Sequence, residues 1–365
     1  MRSPIRDSLI VIAIIVALIF LVEAGLRLFY PQTVRTRFVG GHSLGLKEMA
    51  LGHVNRPNSH TVQTGPEFSV EIKISPEGLR DEIIHHIPKP ENQTRILVLG
   101  DSFTFGGANN YDQIWPVVFE RNLLKDGYHV DIVKAGVCEY DTTVEYHLLE
   151  RLFPKYRPDI VIFVFLPNDL FTNTPMGEPT YLESKYSGER PKSRASQIRA
   201  YLTHLHTLIA LKRLLFSNDY LYTRFYLSTQ RRDYFSSPMN RRLKKQVAVT
   251  EALFSKAKRY CDKRNAIFMV FSIPQQFQVI AKAHSYTLKS IDVDLLDTHF
   301  SKFAADHAFV WISALDVLSD RYRLDKQSLY FRYDGHLNPL GNTIVGDFFS
   351  KAFLHFFKKH LNQRA

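Results

Sequence analysis

Between residues 95 and 106 the chain reads Arg-Ile-Leu-Val-Leu-Gly-Asp-Ser-Phe-Thr-Phe-Gly. Ile96 to Leu99 form an apolar run without polar alternation. That suits a strand buried on both faces of a parallel sheet, because a strand with one wet face alternates. Gly100 stops the run, and Asp101 and Ser102 follow at once. Open α/β sheets bind ligands outside the carboxyl ends of their strands, so a serine there is placed to act as a nucleophile. The same pair also suits a plain helix cap. The rest of the chain weighs on that choice.

Downstream, strand and helix patterns alternate. Trp115–Leu124 reads as a helix with Pro116 in its first turn. His129–Lys134 reads as a strand, Thr142–Phe153 as a helix, and Asp159–Phe165 as a strand bounded by Pro158 and Pro167. A helix over 246–263 leads to a strand over Ala266–Phe271. A helix over 291–306 leads to a strand at Phe309–Ile312. A last helix spans Pro339–Leu361, with Asn338 as its N-cap. Such alternation predicts a parallel sheet of about five strands with helices on both faces.

Four separated blocks carry a resemblance. They are Gly100-Asp101-Ser102-Phe103, Ala135-Gly136-Val137, Leu166-Pro167-Asn168-Asp169 and Asp334-Gly335-His336. In this order, each beside an expected strand or helix, they resemble the SGNH, or GDSL-like, hydrolase superfamily over roughly residues 95–360. Residues 75–81 resemble the lead-in segment of membrane-anchored bacterial members. The resemblance implies a flavodoxin-like three-layer α/β/α sandwich and a serine esterase. Ser102 would be the nucleophile, His336 its base and Asp334 the acceptor that orients the imidazole. The oxyanion hole would comprise the Ser102 and Gly136 backbone N–H groups and the Asn168 side-chain amide. Family members commonly place the aspartate three residues before the histidine. Here the gap is two, as in some cell-surface acetylation members, and Asp316 and Asp325 are the alternative orienters. Leu166 stands where the family often has glycine. Asp101 and Asp169 read as structural, bonding loop amides. No metal or organic cofactor is implied.

Before this domain, Arg2 and Arg6 precede an uncharged run, Leu9–Val22, and apolar character continues to Tyr30, broken by Glu23 and Arg27. The run is long enough to span a membrane only when extended to Tyr30. A lipoprotein cysteine is lacking, and Val22-Glu23-Ala24 is the nearest approach to a cleavage site. The expectation is an uncleaved signal anchor at 1–31 in the inner membrane. It would be single-pass, with the catalytic domain on the periplasmic or extracellular side. An N-terminal extension and linker at 32–94 follows, with a half-buried strand at Glu67–Ile74 and linker signals at Pro88, Pro90 and Asn92. The hydrolase-like domain takes up 95–361.

Charge is uneven. The net +11 includes +9 from residues 170–245, where 14 Lys and Arg face 5 Asp and Glu. This basic insertion, with one helix-like run at Ile198–Phe216, follows the third block and should stand beside the active-site mouth. It would shape substrate access or meet an anionic membrane or acidic polymer. No nucleic-acid motif accompanies it. Two cysteines, Cys138 and Cys261, exclude a disulfide framework, and Cys138 reads as a small buried residue. The remaining histidines, the His85-His86 pair among them, read as exposed and lack metal-ligand spacing.

These readings converge on a membrane-anchored serine ester hydrolase. Its substrate would be an O-acyl ester, such as O-acetyl, on an envelope glycan or lipid. Two alternatives remain: an O-acetyltransferase of a cell-envelope polysaccharide using the same triad, and a non-catalytic envelope glycan-binding protein.

Overall fold

Strand β6 (Thr94–Gly100) is buried along its whole length and pairs in parallel with β7 (Val130–Gly136) on one side and β8 (Ile160–Phe165) on the other. The computed structural model describes residues 4–32, 37–39, 44–48, 51–183, 202 and 204–362. Before β6 come α1 (Pro4–Phe29), β1 (Arg37–Val39), β2 (Gly45–Glu48), β3 (Gly52–Asn55), β4 (His60–Thr64) and β5 (Ser69–Lys73). Around and after it come α2 (Ser102–Phe105), α3 (Trp115–Lys125), α4 (Thr142–Tyr156), α5 (Asp169–Thr172), α6 (His206–Ser217), α7 (Asp219–Leu227) and α8 (Arg241–Asp262). The chain ends with β9 (Ile267–Ser272), α9 (Gln276–Ala283), α10 (Leu295–Asp306), β10 (Val310–Ser313), α11 (Leu315–Asp325) and α12 (Pro339–Asn362).

The main sheet has the order β10-β9-β8-β6-β7, parallel throughout. In order of appearance this is 2-1-3-4-5, the flavodoxin-like arrangement that the resemblance implies. The chain turns from β7 back across β6 to β8, so the switch point lies at the carboxyl end of β6, where Ser102 stands. Helices cover both faces. Trp115 of α3 and Phe349 of α12 pack on Phe271 from one side. Phe254 of α8 and Phe300 of α10 pack on Phe165 from the other. Rings at centroid separations of about 4.5–7 Å in tilted or T-shaped pairs add to the area they bury.

The expected helices and strands appear within a few residues of their predicted ends. Asn338 does cap α12, its side chain accepting from the Gly341 N–H at 2.9 Å. Helix α8 starts earlier than expected, at Arg241, because the Asn240 side chain accepts from the Leu243 N–H. Five helices lack a predicted counterpart: the one-turn α2 and α5, and α7, α9 and α11.

Residues 32–94 form a three-stranded antiparallel sheet, β1-β4-β5, and a hairpin, β2-β3. The apolar face of β5, Val70 and Ile72, packs with Phe68 and Ile74 on Phe105 of α2. This is the only shared core between that small sheet and the nucleophile's helix among the described residues. Ser8–Phe29 is long and apolar enough to cross a membrane. Its two charged residues have a structural use. Glu23 accepts from the N–H groups of His206 and Thr207, the first residues of α6, and Arg27 bonds Glu23 at 2.7 Å. Free N–H groups at a helix start favour such a carboxylate. The start of the expected helix at 198–216 lies partly outside the described residues; the helix that is described begins at His206.

Candidate active site

The nucleophile's corner is set by two glycines and a cap. Asp101 accepts from the Phe103 N–H at 2.8 Å and starts α2, so Ser102 becomes its first residue. The cap reading therefore holds for Asp101, and it leaves Ser102 at the head of the helix. A Cβ on Gly100 would lie 2.0 Å from Thr104 Oγ1, and one on Gly136 would lie 2.4 Å from the Phe105 nitrogen. Both strand ends must be bare for α2 to seat against them.

Ser102 Oγ lies 2.7 Å from His336 Nε2, and His336 Nδ1 lies 2.5 Å from Asp334 Oδ1. The two-residue gap between Asp334 and His336 closes because Gly335 takes φ +92 and donates its N–H to the Phe331 carbonyl. The His336 carbonyl in turn accepts from the Phe331 N–H at 2.8 Å. The alternative orienters are elsewhere: Asp316 pairs with Lys282 and Asp325 with Arg321. Partial burial works against the imidazolium, but the Asp334 bond and the Asp101 charge outweigh it and raise the His336 pKa above its ordinary value. The Asp334 carboxyl, despite burial, is held below its ordinary value by His336. Burial pushes Asp101 up to about 6. Asp169, also buried, accepts from the Leu166 N–H and shapes the loop before Asn168.

Asn168 heads α5 at the end of β8. Its carbonyl oxygen accepts from Gln275 Nε2 at 3.2 Å, and the Gln275 oxygen accepts from the Tyr226 hydroxyl. These bonds turn the Asn168 amide N–H₂ away from Gln275, and it donates to Asp169 Oδ1 at 3.5 Å. Gly136 pairs with Gly100 across the sheet, and its carbonyl accepts from Asn55 at 3.3 Å. Ser102, as the first residue of a helix, has a backbone N–H with no intrahelical acceptor.

Several residues that hold the site have no motif to announce them. Glu67 accepts from the N–H groups of Arg332, Tyr333 and Asp334, fixing the loop that carries Asp334. Arg80 is buried and donates to the carbonyls of Phe105, Gly106 and Asn109, closing the carboxyl end of α2. Asn109 then donates to the Leu337 carbonyl and ties that loop to the one bearing His336. Gln275 and Tyr226 complete the set. Arg80 lies in the lead-in segment, Glu67 opens the strand expected at Glu67–Ile74 and Tyr226 lies in the basic insertion, but no motif marks any of them as part of a site.

Two expectations change. His86 is exposed, but His85 is buried at 4 % exposure, between Asp131 (2.6 Å) and Asp81 (3.2 Å). Burial opposes its charge, yet the two carboxylates raise its pKa to about 9. Asp131 also bonds Arg95, and Asp81 bonds Lys134 and Tyr111. Cys138 is half-buried rather than buried, and it and Cys261 are free thiols. Among the described residues no group of three or more His, Cys, Asp and Glu has metal-binding geometry.

Neither a family model nor a curated protein matches the chain. Solved structures do. The acetyl xylan esterase AlAXEase is 14% identical with a TM-score of 0.43, covering 71% of this chain and 98% of that one. The psychrotrophic esterase EstA from Pseudoalteromonas sp. is 13% identical with a TM-score of 0.40, covering 74% and 99%. A member of the lipolytic protein G-D-S-L family from Veillonella parvula DSM 2008 is 12% identical with a TM-score of 0.40, covering 72% and 100%.

Proposed function

We propose that this protein is a membrane-anchored serine ester hydrolase of the SGNH type. It acts on an O-acyl ester, in first place O-acetyl, of an envelope glycan or lipid. The observation that carries the reading is the unbroken relay from Asp334 through His336 to Ser102 at the switch point of the sheet. Serine is a weak nucleophile until a base takes its proton. In the proposed reaction His336 Nε2 accepts that proton as Ser102 Oγ attacks the ester carbonyl. The imidazolium then protonates the departing alcohol, leaving an acyl-Ser102. Water, deprotonated by the same nitrogen, releases the acid and restores the serine. Asp334 holds the tautomer and stabilises the imidazolium. The Ser102 and Gly136 N–H groups and the Asn168 amide would meet the oxyanion. The N-terminal helix would hold the domain at the outer side of the inner membrane, next to such esters.

Labelling with a fluorophosphonate probe tests the reading, since only an activated serine reacts. The wild-type chain should label and Ser102→Ala should not; equal labelling of both would overturn it. Turnover of a chromogenic acetate ester with and without a sugar acceptor separates the hydrolase from the O-acetyltransferase alternative. Acetyl transferred to the sugar in place of acetate release would favour the latter.

A further inference from the structure

A cleft of about 880 Å³ meets the triad at Asp334, which lines it together with Gly335. That volume is ligand-sized. Its outer walls come from α6, α7 and the turn at Gln230–Phe235, all inside the basic insertion. Three cations line it: Lys212, Arg231 and Arg242. A fourth, Arg332, is already committed to Asp219 at 2.5 Å. Arg242 lies over the Phe171 ring at 4.2 Å, and Asp233, 3.9 Å away, is the only carboxylate within ion-pair distance of it among the described residues. Lys212 and Arg231 have no carboxylate within that distance among the described residues; Lys212 lies over the Phe216 ring and Arg231 over the Tyr226 ring. Burial and the Arg231 charge lower the Lys212 pKa against the opposing pull of Asp334 and Glu67, so Lys212 feels both Arg231 and the Asp334 carboxylate. The other described Arg and Lys residues of the insertion, Arg213, Arg224, Arg232, Arg241, Lys244 and Lys245, do not line the cleft.

The rest of the lining alternates rings with hydrogen-bonding side chains. Phe225 is 44% exposed in the cleft, and Thr229 and Gln276 also face it. A fatty acyl chain seated here would strip water from charged and polar groups without replacing their hydrogen bonds, which is costly. Sugar rings present an apolar face to an aromatic ring and hydroxyls to polar side chains, and an acid group on the sugar would meet the lining cations.

We propose that the cleft binds an anionic saccharide, carboxylated or phosphorylated, and that the ester cleaved at Ser102 is carried by that saccharide. The ester part rests on the hydrolase reading; binding does not. Sugar rings lie against Phe225, and the acid group sits between Lys212, Arg231 and Arg242.

The test measures binding on full-length Ser102→Ala protein in detergent micelles, so turnover plays no part. The probes are an O-acetylated oligouronate, its neutral carboxyl methyl ester, and a phosphorylated oligosaccharide. At least one acidic probe should bind roughly tenfold or more tighter than the neutral ester at low salt, and the gap should narrow as salt screens the charges. Removing two cations in Arg231→Gln/Arg242→Gln should close most of that gap, at roughly up to fivefold per charge, and Arg231→Lys should keep it. Equal binding of acidic and neutral probes overturns the proposal, as does a preference that survives the double variant. Cation-dependent binding to phosphatidylglycerol vesicles with no binding of any oligosaccharide also overturns it and makes the cleft a lipid-surface site. The two readings fail separately: absent fluorophosphonate labelling of wild type removes the hydrolase, whatever the cleft binds.

Discussion

The two walls of the cleft are built on opposite plans. On the nucleophile's side, α2 is held by Asp101 at one end and by the buried Arg80 at the other, with Glu67 and Asn109 clamping the histidine loop. Polar groups there are buried and bonded to backbone at short range. On the far side, α6, α7 and the following turn present cations and an exposed ring to open solvent. The difference reflects two tasks. Chemistry needs atoms held to within about half an ångström, which buried capping bonds supply. Recognition of a hydrated ligand needs charge and rings that water can leave at low cost. Tyr226 joins the two, since it lines the cleft and bonds the Gln275 that turns Asn168.

Variants of the first wall should therefore act on kcat or on folding, and variants of the second on KM. The largest effect is expected at Ser102. Ser102→Ala should lower ester turnover by about 10⁶-fold with the fold intact, as circular dichroism of the purified protein would check. Next is Asp334→Asn, expected to lower kcat by up to about 10⁴-fold because His336 loses its acceptor. The pH profile gives an independent readout. His336 acts as base only when neutral, so kcat/KM should fall on the acid side through an apparent pKa above the ordinary imidazole value. In Asp334→Asn that limb should shift to lower pH. An unshifted limb would mean that Asp334 does not orient the base.

The buried charges behind the first wall set the next effect. Asp131→Asn leaves His85 and Arg95 buried with one partner fewer, and should destabilise by about 3–5 kcal/mol in chemical denaturation. The signs follow from the shifts. His85 is raised to about 9, so its contribution is present below its ordinary value and lost as pH climbs through about 9. Asp81 is lowered to about 2 by His85 and Lys134 against the pull of burial, so its contribution is present above the ordinary carboxylate range and lost as pH falls through about 2. In Asp131→Asn the alkaline decline should begin at lower pH.

Smaller effects sharpen the junction between the walls. Asn168→Ala should cost about 10²–10³-fold in kcat with little change in KM, as expected for an oxyanion donor. Gln275→Ala removes no oxyanion donor and should cost less, about tenfold, an order-of-magnitude value for an outer hydrogen-bond partner. Gln275→Glu keeps an acceptor for Tyr226 but replaces the amide that donates to Asn168, so it should not rescue the loss. If Gln275→Ala changed KM alone, the Tyr226–Gln275–Asn168 chain would belong to the binding wall instead.

Much of the first wall was legible in the chain itself. The apolar run at Ile96–Leu99 and the alternation after it carry the parallel sheet, since a strand buried on both faces leaves an unbroken signature. The four blocks include each member of the Asp334–His336–Ser102 relay. The expectation failed where the signal is not local. His85 sits beside His86 in a polar, proline-marked stretch and reads as exposed. Asp131, 46 residues away, and Asp81 bury it by supplying charge. Helices α7, α9 and α11 are short, and tertiary packing sets their limits more than propensity does.

By itself, then, the sequence determined the parallel sheet and singled out the candidate side chains of the site. These follow from hydrophobic pattern, glycine placement and short motifs, all of which act within a few residues. Only the tertiary structure decided that Glu67 and Arg80 of the N-terminal extension clamp the site, and that Glu23 of the apolar helix starts α6. It also decided which of the insertion's many cations, Lys212, Arg231 and Arg242 among them, stand together beside Asp334. The reason is physical. A hydrogen bond or a charge pair formed across 265 residues, as between Glu67 and Arg332, leaves no periodicity and no motif in either partner. It exists only once the sheet has brought the two ends of the chain to one edge.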